Sequence, residues 1–362
     1  MDTGSVGIRD QAAWHWVRPG VVALAFAVAF VGSGALVAQI DTRPVDWTSA
    51  AKLEHLQEHP DRYDTIYVGS SRAMRGFQPE LFDRTMAAQG IATRTFNAGI
   101  PASDAFETRR FIQQILELEG HSLRLLIVAP AEFRVDLSRQ QAQSNRMVAW
   151  HDWMGTTGAL RAIWETDGRP WEKGTWLFNH LEAFFINLTN TGRIVTHLLL
   201  EPNLSSTLDL AFGMAGDGYV SLDYLAENYP TDALATRQRG VANIATYERV
   251  LGNLADVRSN PPPEPADYEV AYVDDLADLI RSHGVEVLFV KEPTLSIQRQ
   301  YLRWLSDNDS TLPIIDFGDP AEFPELFEQG VFFDFNHLNE EGAGRYTAQV
   351  ADAVAALIYG VP

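Results

Sequence analysis

Three side chains in two distant segments have the types and spacing that could activate a hydroxyl for attack on a carbonyl. Ser71 follows a short apolar run, Thr65–Val68, that ends in a glycine, and Asp334 and His337 stand three residues apart in VFFDFNHLNEEGAGRYT. A serine hydroxyl is a weak nucleophile until a base takes its proton, and a carboxylate beside the base holds the imidazole in the required tautomer. The pattern predicts a Ser-His-Asp triad if the fold joins the two segments. Otherwise Gly-Ser-Ser at this point is an ordinary turn with a helix cap.

The segments that must position these side chains alternate between strand and helix patterns. Short apolar runs predict strands at 65–68, 93–96, 123–128, 285–290 and 312–317. Helical patterns predict helices at 79–89, at 104–119 with Asp104 as the N-cap, at 268–282 and at about 340–359. This alternation predicts a parallel sheet covered by helices on both faces, a three-layer α/β fold.

The predicted triad lies where such a sheet binds its ligands. Ligands of an open parallel sheet bind beyond the carboxyl ends of the strands. Ser71 directly follows the first predicted strand, while Asp334 and His337 lie between the last predicted strand and the last helix. Of the nine histidines, His337 is the one with this position and a carboxylate nearby.

Composition excludes several other kinds of chemistry. The chain has no cysteine, so disulfides, thiolate metal sites and a thiol nucleophile are absent. Its formal net charge of −20 disfavours binding to nucleic acid, which needs a basic face. No glycine-rich phosphate loop is present, and we expect no cofactor.

The N-terminal segment has the composition of a membrane anchor. Residues 20–40, GVVALAFAVAFVGSGALVAQI, contain no charged residue and match the length of a transmembrane helix. We therefore expect a cytoplasmic segment over residues 1–19, an uncleaved signal anchor over 20–40, a tether over 41–62 and an exported domain after it. A buried core helix is the alternative for residues 20–40.

A long segment interrupts the alternation of strands and helices. Residues 134–266 hold five of the nine tryptophans and close with the proline-rich NPPPEP. We predict a mostly helical insertion or cap between two parts of the α/β domain, residues 63–133 and 267–362. Its aromatic residues are either ordinary core or a surface for sugars or a membrane partner.

Three short blocks of the sequence resemble those of the SGNH (GDSL-type) hydrolases and acyltransferases. The first block is Gly69-Ser70-Ser71 with Ser71 in the nucleophile position, the second supplies Gly99 in FNAGIPASD, and the third is Asp334-Phe335-Asn336-His337. Serine at position 70, where the family usually has Asp, resembles the membrane-anchored branch that includes D-alanyl transfer proteins and polysaccharide O-acetyltransferases. The resemblance implies a flavodoxin-like SGNH hydrolase fold with an oxyanion hole made by the N–H groups of Ser71 and Gly99.

One block of that family is missing. After the third predicted strand the family has Gly-x-Asn-Asp, whose Asn helps to hold the oxyanion, whereas this chain has VAPAEF with Glu132. Asn97 or Asn336 could supply a side-chain donor instead, and Glu132 could donate only when protonated. Arg72, Asn336 and Glu132 are the candidate substrate-binding residues, and Arg72 could contact an anionic substrate.

The resemblance implies a membrane-anchored serine acyltransferase or esterase in the periplasm. It would act on O-acyl groups, expected to be acetyl, of a cell-envelope glycan beside a membrane-bound O-acyltransferase. The alternatives are a non-catalytic accessory or scaffold subunit of a membrane complex, which the missing Asn favours, and a simple secreted esterase. A second motif, His55-x-x-Glu58-His59, matches a zinc peptidase pattern for which Glu132 could be the third ligand; its position in the predicted tether disfavours this reading.

Overall fold

The computed structural model describes residues 9–40, 47–189, 210–308 and 311–361. Its centre is one sheet of five parallel strands in the order β2-β1-β3-β4-β5. The strands are β1 (Thr65–Val68), β2 (Thr95–Asn97), β3 (Leu125–Val128), β4 (Glu286–Lys291) and β5 (Ile314–Asp316). The predicted α/β class with a parallel sheet is confirmed.

The strands lie where the apolar runs predicted them, with ends that agree to within two residues and with both ends of β1 as predicted. Strand β2 begins at Thr95 rather than at residue 93. Only Thr95, Phe96 and Asn97 have partners on β1, so pairing rather than residue type sets the length of this edge strand.

Helices cover both faces of the sheet because successive strand residues point to opposite faces. In β1, Ile66 and Val68 belong to one buried apolar cluster and Tyr67 belongs to another. The helices are α1 (Arg9–Ile40), α2 (Trp47–Glu58), α3 (Ser71–Gly76), α4 (Pro79–Ala88), α5 (Ala105–Leu116), α6 (Arg139–Ala142), α7 (Asn145–Trp150), α8 (Trp153–Glu165), α9 (Pro170–Thr189), α10 (Leu222–Asn228), α11 (Asp232–Ala242), α12 (Ile244–Arg258), α13 (Asp267–Ser282), α14 (Tyr301–Asp307) and α15 (Glu340–Leu357), with a 3₁₀ turn at Pro324–Phe327. Helices α5, α8 and α13 contribute to the first cluster, and α3, α4 and α15 contribute to the second.

The predicted N-cap of α5 is present. Asp104 is extended, and its carboxylate accepts a hydrogen bond of 2.9 Å from the N–H of Glu107. Apolar residues of the helix face the sheet, including the fully buried Ile112. This cap matters for the site because it begins the helix immediately after the loop that carries Gly99.

The N-terminal helices differ in how they relate to the sheet. Helix α1 contains the expected anchor, residues 20–40, and its described apolar side chains are largely exposed. None of the helices in the described ranges combines the length and apolarity needed to cross a membrane. Residues 1–8 and 41–46, parts of the expected cytoplasmic segment and tether, lie outside the described residues. Helix α2 is not surrounded by solvent, since its Lys52 and Leu56 are buried against the α/β core.

The segment predicted as an insertion is mostly helical where the structure describes it. Seven helices, α6 to α12, lie between β3 and α13, and residues 190–209 lie outside the described part. Trp150 is buried in the first apolar cluster and stacks on Phe106 of α5, whereas Trp153, Trp164 and Trp171 are exposed. The aromatic residues therefore divide between core and surface.

Candidate active site

The candidate active site lies at the carboxyl ends of the strands. The chain passes from β1 to β2 on one side and reaches β3 on the other side of β1, so the strand order reverses at β1. Crevices at such a reversal are the usual binding sites of open α/β sheets. Ser71 is the first residue of α3, and only Gly69 and Ser70 separate it from the end of β1.

Local sequence explains why the chain turns sharply before Ser71. A side chain at Gly69 would place its Cβ 2.9 Å from the carbonyl oxygen of Ala129, so only glycine fits between β1 and the end of β3. Ser70 is the N-cap of α3, and its hydroxyl accepts a long hydrogen bond of 3.4 Å from the N–H of Arg72. The cap assigned to Gly-Ser-Ser and the placement of Ser71 at the crevice are therefore both present.

The structure brings the three predicted triad side chains together. Ser71 Oγ lies 2.9 Å from Nε2 of His337. On the other side of the ring, Nδ1 lies 2.9 Å from Oδ1 and 3.1 Å from Oδ2 of Asp334. All three distances are within hydrogen-bonding range, and the first joins residues 266 positions apart in the chain.

Asp334 is held rigidly by its own loop. Its Oδ1 also accepts hydrogen bonds from the backbone N–H groups of Asn336, at 2.7 Å, and His337, at 2.9 Å. Burial raises the pKa of Asp334, but the hydrogen bond and charge of His337, the N–H of Asn336 and the charge of Arg237 together lower it below its ordinary value. The carboxylate is therefore ionised at neutral pH.

The charge of Asp334 fixes the tautomer of His337. A carboxylate accepts but cannot donate, so Nδ1 carries the ring proton and Nε2 keeps its lone pair. The Ser71 hydroxyl can then donate to Nε2, which is the arrangement that lets an imidazole take the serine proton. The side chain of His337 is 12% exposed and that of Asp334 is 6% exposed, so solvent reaches the base and is kept from the carboxylate.

Two of the three predicted oxyanion donors are already occupied. The amide of Asn97 donates both of its hydrogens, to the carbonyls of Ala73 and Phe77 at 2.8 Å each, and its oxygen accepts the N–H of Gly99 at 2.9 Å. The expectation that Asn97 is a donor to the site is wrong in this structure, because its amide instead fastens α3 to β2. Gly99 has a packing role, since a Cβ there would lie 2.4 Å from the backbone nitrogen of Met74.

The N–H of Ser71 is the predicted donor that remains. The first four N–H groups of a helix have no partner within the helix, and Ser71 is the first residue of α3. Among the described hydrogen bonds, none uses this N–H. It lies on the same residue as the Oγ that would attack.

The three candidate substrate-binding residues have internal partners. Nε of Arg72 donates to Glu292 at 3.1 Å, and its side chain is only 13% exposed, so it is neither a solvated charge nor a free guanidinium. Glu132 accepts a long ion pair of 3.5 Å from the buried Lys291. The side-chain oxygen of Asn336 accepts the hydroxyl of Ser296 at 2.6 Å, although Asn336 itself is exposed.

Two residues at the site were not predicted from the sequence. Arg237 of α11 forms an ion pair with Asp334, and its NH2 lies 3.1 Å from Nδ1 of His337. Lys52 of α2 is fully buried and donates to the carbonyls of Asn97, Gly99 and Gly218. Arg237 lies in the insertion, where no strand end marks a site. For Lys52 a weak signal exists, since it lies one turn before Leu56 on the apolar face of α2.

The zinc-site reading of His55 and His59 gains no geometric support. Nε2 of His55 lies 3.0 Å from the hydroxyl of Tyr63, and Nδ1 of His59 lies 3.0 Å from the carbonyl of His55. Burial, followed by the charges of His59 and Arg62, lowers the pKa of His55 to about 4. Within the described ranges, no cluster of three or more His, Cys, Asp or Glu side chains could hold a metal ion.

Comparison of the sequence with protein-family models and with curated proteins finds no match.

Proposed function

We propose that this chain is a serine-dependent acyltransferase or esterase of the SGNH type. The observation that supports this most directly is the distance of 2.9 Å between Ser71 Oγ and His337 Nε2, with Asp334 bonded to the far side of the ring. The sheet order, in which β1 ends at the reversal point, is the order of flavodoxin-like sheets and agrees with an SGNH-type fold.

The proposed reaction has two steps. His337 takes the proton of Ser71 as the serine oxygen attacks an ester carbonyl, and it then protonates the departing alcohol, which leaves an acyl-serine. In the second step His337 takes a proton from water or from an acceptor hydroxyl as that oxygen attacks the acyl group, and it then returns the proton to Ser71 Oγ as the bond between the acyl group and the serine breaks. Asp334 stabilises the imidazolium that forms in each step.

The oxyanion of each tetrahedral intermediate would rest on the N–H of Ser71. A second donor requires that the N–H of Gly99 exchange the side-chain oxygen of Asn97 for the oxyanion. Loss of one such donor typically lowers a rate by about 10²–10³. A catalyst that must break an internal hydrogen bond first is therefore expected to be slow on small, unspecific esters.

The proposed setting is a cell envelope. The charge-free stretch at residues 20–40 supports a membrane anchor with the α/β domain outside the cytoplasm. The substrates would be O-acetyl groups and hydroxyls of an envelope polysaccharide, and a membrane-bound O-acyltransferase would supply the acyl group. Exposed tryptophans on α8 and α9 provide a surface suited to sugars or to such a partner.

A non-catalytic accessory subunit is the second candidate. The hydrogen bond between Gly99 and Asn97 favours it, because an accessory protein has no need of free oxyanion donors. It would use the same fold to hold a glycan or a membrane complex.

Labelling with a fluorophosphonate probe separates the two candidates. We expect the wild-type protein to be labelled at Ser71, and Ser71→Ala and His337→Ala to lose labelling. Ser70→Ala is the matched control, because it removes only the 3.4 Å cap hydrogen bond and keeps the nucleophile. Absence of labelling in a folded wild-type protein would leave the accessory role. Acetate release with and without a polysaccharide acceptor then distinguishes a transferase from an esterase.

A further inference from the structure

Helix α11 covers the loop that carries the triad acid and base. Gly240 of this helix lies against the ring of Phe335, and a Cβ at Gly240 would be 3.1 Å from that ring. Val241, the next residue, is buried in the second apolar cluster. The side of α11 that carries Arg237 is thereby fixed above Asp334 and His337.

Arg237 competes with the catalytic base for one carboxylate. It forms an ion pair with Oδ2 of Asp334, while Nδ1 of His337 donates to the same carboxylate. Because the ring nitrogen carries a proton, the 3.1 Å approach of Arg237 to Nδ1 brings two donors together and is not a hydrogen bond. A cation at this distance opposes the imidazolium that the reaction must form. In this arrangement Arg237 neutralises part of the negative charge with which Asp334 would stabilise the imidazolium.

A second arginine lies on the helix that begins with Ser71. Arg75 is four residues after Ser71 in α3, which places the two residues on the same face of the helix. Its NH1 donates to the carbonyl of Val220 at 2.8 Å. Burial, and then the nearby charge of Arg237, lower the pKa of Arg75 to about 10. Arg237, whose side chain is 41% exposed, is open to solvent, whereas the guanidinium of Arg75 is already bonded to Val220.

We infer that Arg237 recognises a carboxylate on the substrate and exchanges Asp334 for it. This inference rests on the proposed function. The ion pair with Asp334 shows that Arg237 binds a carboxylate at this position, and a guanidinium matches the planar geometry of that group. The substrate class is thus an acyl ester on an acidic sugar or another carboxylated molecule.

The exchange couples recognition to catalysis. When a substrate carboxylate pairs with Arg237, the full negative charge of Asp334 is available to stabilise the imidazolium. With a neutral substrate, Arg237 remains paired with Asp334, and His337 is a less effective base. Arg237 is therefore a specificity-determining and positioning residue, and it takes no proton itself.

Two acetate esters that differ by one carboxylate test this inference. The neutral probe is 4-nitrophenyl acetate and the charged probe is 5-acetoxy-2-nitrobenzoate. We expect the wild-type protein to favour the charged ester by roughly 5- to 10-fold in kcat/KM. Arg237→Gln should reduce this preference to less than about 2-fold, raise KM for the charged ester and increase kcat for the neutral ester. Arg237→Lys should restore part of the preference because it restores the charge.

The matched control is Arg239→Gln on the same helix. Arg239 is exposed and donates only to Thr236 among the described residues, so its loss should leave both esters unaffected. The opposite changes expected in Arg237→Gln, a higher KM for the charged ester and a higher kcat for the neutral ester, supply a readout that a structural role would not produce.

The outcomes separate this inference from the proposed function. Turnover of both esters with no preference in the wild type, or a preference that survives in Arg237→Gln, overturns the role of Arg237 and leaves the triad intact. No turnover of either ester and no labelling of Ser71 by the fluorophosphonate probe overturns the proposed function and the inference with it.

Discussion

Replacement of Lys52 by Met tests whether a buried cation holds the crevice together. The ammonium of Lys52 donates to three backbone carbonyls, Asn97 at 2.8 Å, Gly99 at 2.9 Å and Gly218 at 3.1 Å. Burial, and then the charge of Arg75, lower the pKa of Lys52 well below its ordinary value, while Asp217 opposes this shift. The side chain is fully buried, so water cannot replace the lost donors.

The expected loss of stability follows from these contacts. Each buried carbonyl left without a donor costs about 1–3 kcal/mol, which gives roughly 3–9 kcal/mol for the three. The variant also removes the cost of burying a cation, which is several kcal/mol. A methionine fills most of the lysine volume, so no large cavity offsets this gain. We therefore expect Lys52→Met to lower the free energy of unfolding by about 3 kcal/mol.

Urea unfolding followed by tryptophan fluorescence measures this change. The control is Lys173→Met, since Lys173 donates to one exposed carbonyl, that of Trp164, and its loss should change stability by less than about 1 kcal/mol. A second readout is fluorophosphonate labelling of Ser71 far below the unfolding transition. Labelling should slow in Lys52→Met, because the loop of Gly99 packs on the helix that begins with Ser71. A stability change within about 0.5 kcal/mol of wild type would refute the view that Lys52 ties these loops together.

Three further changes give distinct results. Asp334→Asn should lower kcat for ester hydrolysis by about 10³–10⁴, because an amide does not fix the ring tautomer, and a loss of less than 10-fold would contradict the triad. Burial raises the pKa of Asp104 to about 6, so its ionised form opposes folding at higher pH. Asp104→Asn keeps the cap to Glu107 and should raise unfolding free energy by up to about 3 kcal/mol at pH 8 but not at pH 3, as urea unfolding at both pH values would show. Burial lowers the pKa of His151 to about 3 and of His180 to about 4, so the unfolded chain binds more protons than the folded one, and stability should fall as the pH drops from 6.5 toward 4. His180→Asn should reduce the dependence of the melting temperature on pH in thermal scans. An unchanged dependence would contradict this interpretation.

The sequence was sufficient where the determinants are local. Thr65–Val68 is apolar, ends at a glycine and forms β1 with the predicted bounds. Asp104 caps α5 as predicted, because the cap depends only on the residues within one turn. The approach of Ser71 to His337 could be expected for a similar reason, since parallel strands place all their carboxyl ends on one edge.

The expectations failed where a residue's partner depends on the conformation of a loop. Asn97 and Gly99 are two residues apart, and nothing in their spacing reveals that the amide of one accepts the N–H of the other. The partner of Arg72 is Glu292, 220 positions away in the sequence, and no periodic pattern connects them. Arg237 lies in the segment where the strand and helix pattern is lost.

The segment predicted as an insertion forms part of the site and is not simply attached beside it. The N–H of Asn97 donates to the carbonyl of Asp217 at 2.8 Å, and the N–H of Val220 donates to the carbonyl of Met74 at 3.1 Å. These bonds fasten β2 and α3 to the insertion, and the ion pair of Arg237 joins the same segment to Asp334. The insertion therefore contacts both the helix that begins with Ser71 and the triad carboxylate. A substitution that disturbs the insertion is therefore expected to affect both α3, which carries Ser71, and Asp334.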